Sequence, residues 1–296
     1  MTAVAVASDR PEGPERPDPI GPAERPDRRA PSVRRLVRNL GSVAISILVT
    51  IVLWVGFIRL YRVDHLIAKD PVDVWRYLFN EHASGAHRHV LFANLGVTLR
   101  DAALGYGGGT LAALLVASLF SLRRTLEQTF MPVALVLRSV PLVAMAPLIT
   151  LIFGRDVLSV TVIGGIVCFF PALVNILYGL RSAPRSSVDL MRSYGASAGT
   201  TLRKVLLPTA LPSVFASLRI NVPGAIIGAL LAEWLSTGKG SGSEMLTVVN
   251  TFDYAELWSA VVLVTLVSIL TFSVVSAIEA VVLARFAPDA GGRRAS

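Results

Sequence analysis

The sequence predicts an all-α polytopic membrane protein with about six transmembrane helices, and three observations carry that reading. The composition is 53% hydrophobic and only 16% charged, with a mean hydropathy of +0.62, too apolar for a chain dissolved in water. The apolar residues gather into runs of roughly 20, the length a helix needs to cross a hydrocarbon core about 30 Å thick. The basic residues flank those runs. A net charge of +8 would suit a nucleic-acid surface, but cations at the ends of apolar segments read as topology, and no nucleic-acid partner is expected.

Residues 1–40 are rich in Pro, Arg, Asp and Glu and almost free of large apolar side chains. Such a segment cannot bury enough surface to offset its ordering entropy, so a disordered tail is expected. It is also too long and polar for the leading part of a cleaved signal peptide. A first span at 42–60 and an external amphipathic stretch make up a region 41–93. The core, 94–285, holds five more spans at 102–122, 130–153, 157–180, 213–235 and 257–283, and 286–296 form a second tail. Pro141 and Pro147 fall inside the third span, Pro171 in the fourth and Pro223 in the fifth. Neighbouring helices must satisfy the carbonyls these prolines free, which implies a packed bundle. Gly105-x-x-x-Gly109 and Gly224-x-x-x-Gly228 are spacings that let helix backbones approach closely.

Counting Lys and Arg orients the chain. With both termini in the cytoplasm, that side receives Arg34, Arg35, Arg38, Arg123, Arg124, Arg181, Arg185, Arg192, Arg203, Lys204 and Arg285. The outer side keeps fewer, among them Arg62, Lys69, Arg76 and Arg88, so the positive-inside rule holds.

Several features invite a catalytic or metal reading and do not support one. His82, His87 and His89 lie close in sequence, but no Cys or second His cluster completes a shell, and Trp75, Tyr77 and Phe79 beside them suit an interfacial helix. No metal site is expected. Cys168 is the single cysteine and sits in an apolar run, where packing is its expected role. The glycine-rich stretch 237–242 lacks the spacing of a phosphate-binding loop and follows no strand. With no Walker-type segment elsewhere, the chain is not expected to hydrolyse ATP, to hold catalytic residues, or to need a cofactor.

The polar stretch between the fourth and fifth spans is patterned. Ser186 or Ser187 can cap a helix beginning near Asp189, whose charge suits a helix N-terminus. Leu190, Met191 and Tyr194 share a face, and Gly195 permits a turn. A second amphipathic piece from about Ala198 brings Leu202, Val205 and Leu206 to one side, and Pro208 marks the expected break before Pro212 opens the next span. A short helix–turn–helix on the cytoplasmic membrane surface results.

Here the chain resembles the permease subunits of ABC importers. Their "EAA" loop reads Glu-Ala-Ala, three residues, Gly, nine residues, Ile-x-Leu-Pro. Asp189-Leu190-Met191 occupies the triplet, Gly195 follows at the family spacing, and Val205-Leu206-Leu207-Pro208 closes the pattern. Over 95–285 the stretches Leu137-Arg138-Ser139-Val140-Pro141, Pro147-Leu148, Phe153-Gly154 and Ala232-Glu233 look like the nitrate, sulfonate and taurine branch. Permeases for pyrimidine vitamin precursors and for riboflavin are closely similar. The resemblance implies a bacterial inner-membrane protein working as a homodimer in membrane lipid, with a separate ABC ATPase and an external solute-binding protein. It implies a coupling helix seated on the ATPase through Asp189, Leu190, Met191, Tyr194, Gly195, Val205, Leu207 and Pro208. A secondary transporter without an ATPase is the competing class; no internal repeat supports it, and the EAA-like loop would be unexplained.

Arg138, Arg219 and Glu233 are candidates among the charged residues within or near spans. Arg138 and Arg219 either line a path for an anion or snorkel and pair near the cytoplasmic interface, the plainer reading. Glu233, beside Trp234 near the outer end of the fifth span, either gates the path, contacts the binding protein or marks the interface.

Overall fold

The computed structural model describes residues 33–286 other than Glu81, with side chains from 45 to 285. The expected tails 1–40 and 286–296 lie largely outside the described residues, although 33–40 already belong to the first helix. The helices are α1 (Val33–Leu60), α2 (Pro71–Phe79), α3 (Ser84–Leu122), α4 (Arg124–Ser139), α5 (Leu142–Phe153), α6 (Val157–Arg181), α7 (Arg185–Ser193), α8 (Ala198–Thr237), α9 (Gly240–Asn250) and α10 (Tyr254–Phe286). The chain divides within α1, at Trp54 and Val55, and the bundle lies in the second part.

Helices α3, α6, α8 and α10 are each long and apolar enough to cross a membrane. The apolar part of α1 among residues with described side chains, Ile45–Leu60, is shorter than these. The expected third span is not one straight helix: α4 and α5 meet at an angle of 103°. Pro141 causes the corner. Its ring disfavours helical backbone at the preceding residue, and Val140 is extended, with φ −73° and ψ 127°.

The core is a seam where α3, α6 and α8 meet. A Cβ placed on Gly105 would stand 2.8 Å from the Cα of Gly164, and Gly109 faces Gly165 as closely. Gly228 meets Gly164 from α8, where a Cβ would come to 2.9 Å. Gly105, Gly109 and Gly228 therefore converge on one glycine pair in α6, which is why backbones can touch here, while Gly224 meets the Val167 side chain. Below the seam, Phe120, Leu173, Ile176, Leu180 and Ala210 form a buried apolar cluster. Two polar groups here are paired: the Asn221 Nδ2 donates to the Cys168 carbonyl at 2.8 Å, and the Tyr106 hydroxyl donates to the Leu218 carbonyl at 3.0 Å.

At the other end α2 is clipped to α10. The Tyr77 hydroxyl donates to Glu256 at 3.1 Å, and the Trp258 indole donates to the Ile67 carbonyl at 2.9 Å. Asp70 and Asp73 form a capping box for α2. The group of possible metal ligands that gathers among the described residues is His65 with those same two aspartates, rather than the three histidines noted in the sequence. Its carboxylates already hold backbone N–H groups. His87 instead stacks on Tyr77, with ring centres 4.2 Å apart.

Candidate functional site

The residues singled out in the sequence fall in two regions, an exposed loop at one end of the bundle and the charged side chains of the long helices. The loop starts where Pro184 sets the chain extended, so α7 begins at Arg185 with no side-chain cap, and Ser186 and Ser187 lie inside the helix rather than before it. Asp189 is exposed and pairs with Arg192 one turn on, at 3.8 Å. The helix closes at Gly195. With φ at +70°, Gly195 lets its N–H reach the Arg192 carbonyl (2.9 Å) while the Ala196 N–H reaches that of Met191 (3.0 Å). This paired closure is the Schellman motif, and it needs a residue at ease in left-handed backbone. Ser197 then caps α8 by accepting from the Thr200 N–H at 3.2 Å.

Two apolar residues beside the closure face outward. Leu190 is 57% exposed and Tyr194 82% exposed, while Met191 is half-buried. The second half of the loop faces inward: Leu202, Leu206 and Leu207 pack on the Phe120 cluster, with Val205 half-buried beside them and Pro208 exposed. Pro208 does not break the chain. The turn before it, Leu202–Leu206, widens to a π-helix, which makes room for the proline ring, and α8 runs on unbroken through Pro208 and Pro212. Beside the loop, Arg181 at the end of α6 pairs with the buried carboxylate of Glu127 on α4.

The charges within spans have separate fates. Arg219 on α8 pairs with Glu279 on α10 at 2.9 Å, a partner the sequence did not suggest because the two lie far apart in the chain. Glu233 is not at the outer surface. It is fully buried in a second π-helical turn, Glu233–Thr237, where its Oε2 accepts the Gly242 N–H at 2.6 Å. Thr98 and Asp101 are polar neighbours, and Thr98 itself accepts the Ser241 N–H at 2.9 Å. Glu233 thus holds the glycine-rich stretch at the start of α9 against the bundle.

Arg138 stands apart. It sits at the corner between α4 and α5, on the wall of a cavity of about 360 Å³ whose other side is the middle of α6, at Ile166, Val167 and Phe170. Val167 is roughly 20 Å along the axis from the Arg181 end, at 1.5 Å per residue. Arg138 therefore lies level with the middle of α6 rather than with its Arg181 end.

A family model described as "Binding-protein-dependent transport system inner membrane component" matches residues 109–287. Among curated relatives, a probable ABC transporter permease protein of Haemophilus influenzae is 32% identical over 67% of this chain and 78% of its own length. A formylaminopyrimidine transport permease of Halalkalibacterium halodurans is 28% identical over 66% and 78%. A nitrate import permease of Leptolyngbya laminosa is 25% identical over 88% and 95%. With crossing helices, a broken span and a family match over most of its length, the chain belongs to the binding-protein-dependent inner-membrane components, the permease subunits of ABC importers.

Proposed function

We propose that this permease translocates a small anion, of the nitrate, sulfonate or taurine kind, across a bacterial inner membrane, using ATP hydrolysed by a separate subunit. A solute-binding protein delivers the anion from outside, and two copies of the chain in the lipid enclose the path. Both termini and the α7–α8 loop then face the cytoplasm. Asp189, Leu190, Met191, Tyr194, Gly195, Val205, Leu207 and Pro208 form the unit that docks on the ATPase. The exposure of Leu190 and Tyr194 on a helix closed by Gly195 carries this reading. An apolar face held outward at a basic membrane end suits helix-in-groove recognition. Its inner half is rooted in the Phe120 cluster, so a push on α7 reaches the bundle core through α8. Coupling requires that ATP favour one bundle state over the other.

The test is co-purification with the ATPase subunit from membranes. Asp189→Lys with Gly195→Asp should abolish association, because the second change strains the closure and the first reverses a docking charge. Association at the unsubstituted level would overturn the docking assignment. The relative named for formylaminopyrimidine transport favours a second substrate reading, a pyrimidine vitamin precursor or riboflavin.

A further inference from the structure

We propose that Arg138 forms a binding site for the substrate's anionic head level with the middle of α6, in the cavity at the α4–α5 corner. The site rests on the anion reading of the transport function and adds where the anion pauses. Three observations converge on it. Arg138 lies opposite the middle of α6, about 20 Å along that helix from its Arg181 end. It is exposed, and among the described residues no carboxylate stands within ion-pair reach of it, whereas Arg219 and Arg181 each have one. The chain breaks at this position, leaving a cavity of about 360 Å³ lined by Arg138, Ser139, Val140 and Pro141 on one side and Val167 and Phe170 on the other.

A lone guanidinium at that depth costs several kcal/mol in hydrocarbon, so such a group faces a water-filled path or a counter-charge. The cavity provides the room. Apart from Arg138 and Ser139 its walls are apolar, and the Ser139 hydroxyl is spent on the Val136 carbonyl at 2.6 Å. Among the described residues no fixed carboxylate competes for the charge, so a passing oxyanion is the partner it lacks. Low-dielectric walls around one unpaired charge concentrate counter-ions and speed their arrival. The corner places Arg138 on the cavity wall, where α4 ends and the chain turns through 103° into α5.

The probe is a cysteine placed at Val140, modified in membrane vesicles of the full transporter by anionic sulfonatoethyl methanethiosulfonate or cationic trimethylammonioethyl methanethiosulfonate. Each rate is normalised to that with a free thiol in solution. The unsubstituted chain, whose sole cysteine is the buried Cys168, supplies the background. The anionic reagent should react about tenfold faster than the cationic one after normalisation, within the range a focused unit charge produces. Arg138→Gln should erase that preference and Arg138→Lys retain it, the latter guarding against a general folding defect. A preference that survives in the Gln variant overturns the assignment, since the field then arises elsewhere. Equal rates with Arg138 present also overturn it, showing a charge already neutralised by the second copy. So does an absence of modification by either reagent, which would mean a cavity closed to water. Association with the ATPase, measured on the same vesicles, should be unchanged throughout. Its absence in the unsubstituted transporter would sink the docking proposal and leave this site standing.

Discussion

At the scale of single residues, Glu233 and Gly240 form a lock whose parts are useless apart. The carboxylate is fully buried and bonds the Gly242 N–H, while Gly240, at φ +88°, leaves no room for a Cβ against that same carboxylate. Glu233→Ala removes the acceptor and leaves a buried N–H without a partner, at a cost of about 1–3 kcal/mol. Glu233→Gln, similar in shape and still an acceptor, should lose less. Gly240→Ala should match the alanine variant in effect although it deletes nothing, because it forces both strain and a clash. Thermal unfolding of the detergent-solubilised permease in the four forms checks this order, and equal stability of Glu233→Ala and the parent would remove the lock. The sequence marked Glu233 as charged and near a span end, no more. Its burial depends on the glycine-rich stretch folding back over it, and nothing local in a run of glycines and serines announces that.

At the scale of elements, the glycine spacings were legible and their target was not. Gly105-x-x-x-Gly109 and Gly224-x-x-x-Gly228 signal close approach, but only the bundle shows that the first closes on Gly164 and Gly165 and the second on Gly164 and Val167. Gly105→Val should overpack the seam and destabilise by about 1–3 kcal/mol or more, since backbone atoms of α6 cannot step aside as a side chain would. Gly107→Ala on the same helix meets nothing within 4 Å and should be neutral or slightly stabilising, alanine being the better helix former. If both substitutions shift the melting temperature alike, the seam is not what holds α3 to α6. The prolines teach the converse lesson. The sequence placed Pro141 inside a span and Pro208 at a break, yet Pro141 turns the chain through 103° and Pro208 is absorbed by a widened turn upstream. Hydropathy could place the apolar run 130–153, but whether a proline breaks or merely perturbs a helix depends on what the neighbouring turns can accommodate.

At the scale of the whole molecule, four of the six expected spans, 102–122, 157–180, 213–235 and 257–283, fall on described helices long and apolar enough to cross a membrane, because bilayer thickness fixes their length. The pairing of charges between spans was not legible, because periodicity says nothing about which helix lies alongside. The pair Arg219–Glu279 is the clearest case. It joins α8, which begins in the exposed loop, to α10, which does not contact that loop through any described ion pair. Glu279 is 9% exposed and the Arg219 side chain 34%, so the pair is partly shielded from water, and removing one member strands the other. Breaking such a pair costs up to about 3–5 kcal/mol when fully buried, while replacing both partners by neutral groups is often close to neutral. Arg219→Gln and Glu279→Gln should therefore each destabilise the permease, the glutamate's loss leaving an arginine that can still snorkel and so costing less. The double variant should be more stable than the sum of the two effects predicts, with a coupling of at least about 1 kcal/mol for residues in direct contact. A cycle of four thermal unfolding measurements gives that coupling directly. Were it zero, α8 and α10 would be held by apolar packing alone, and a movement entering α8 at the loop would have no charged linkage through which to carry α10 along.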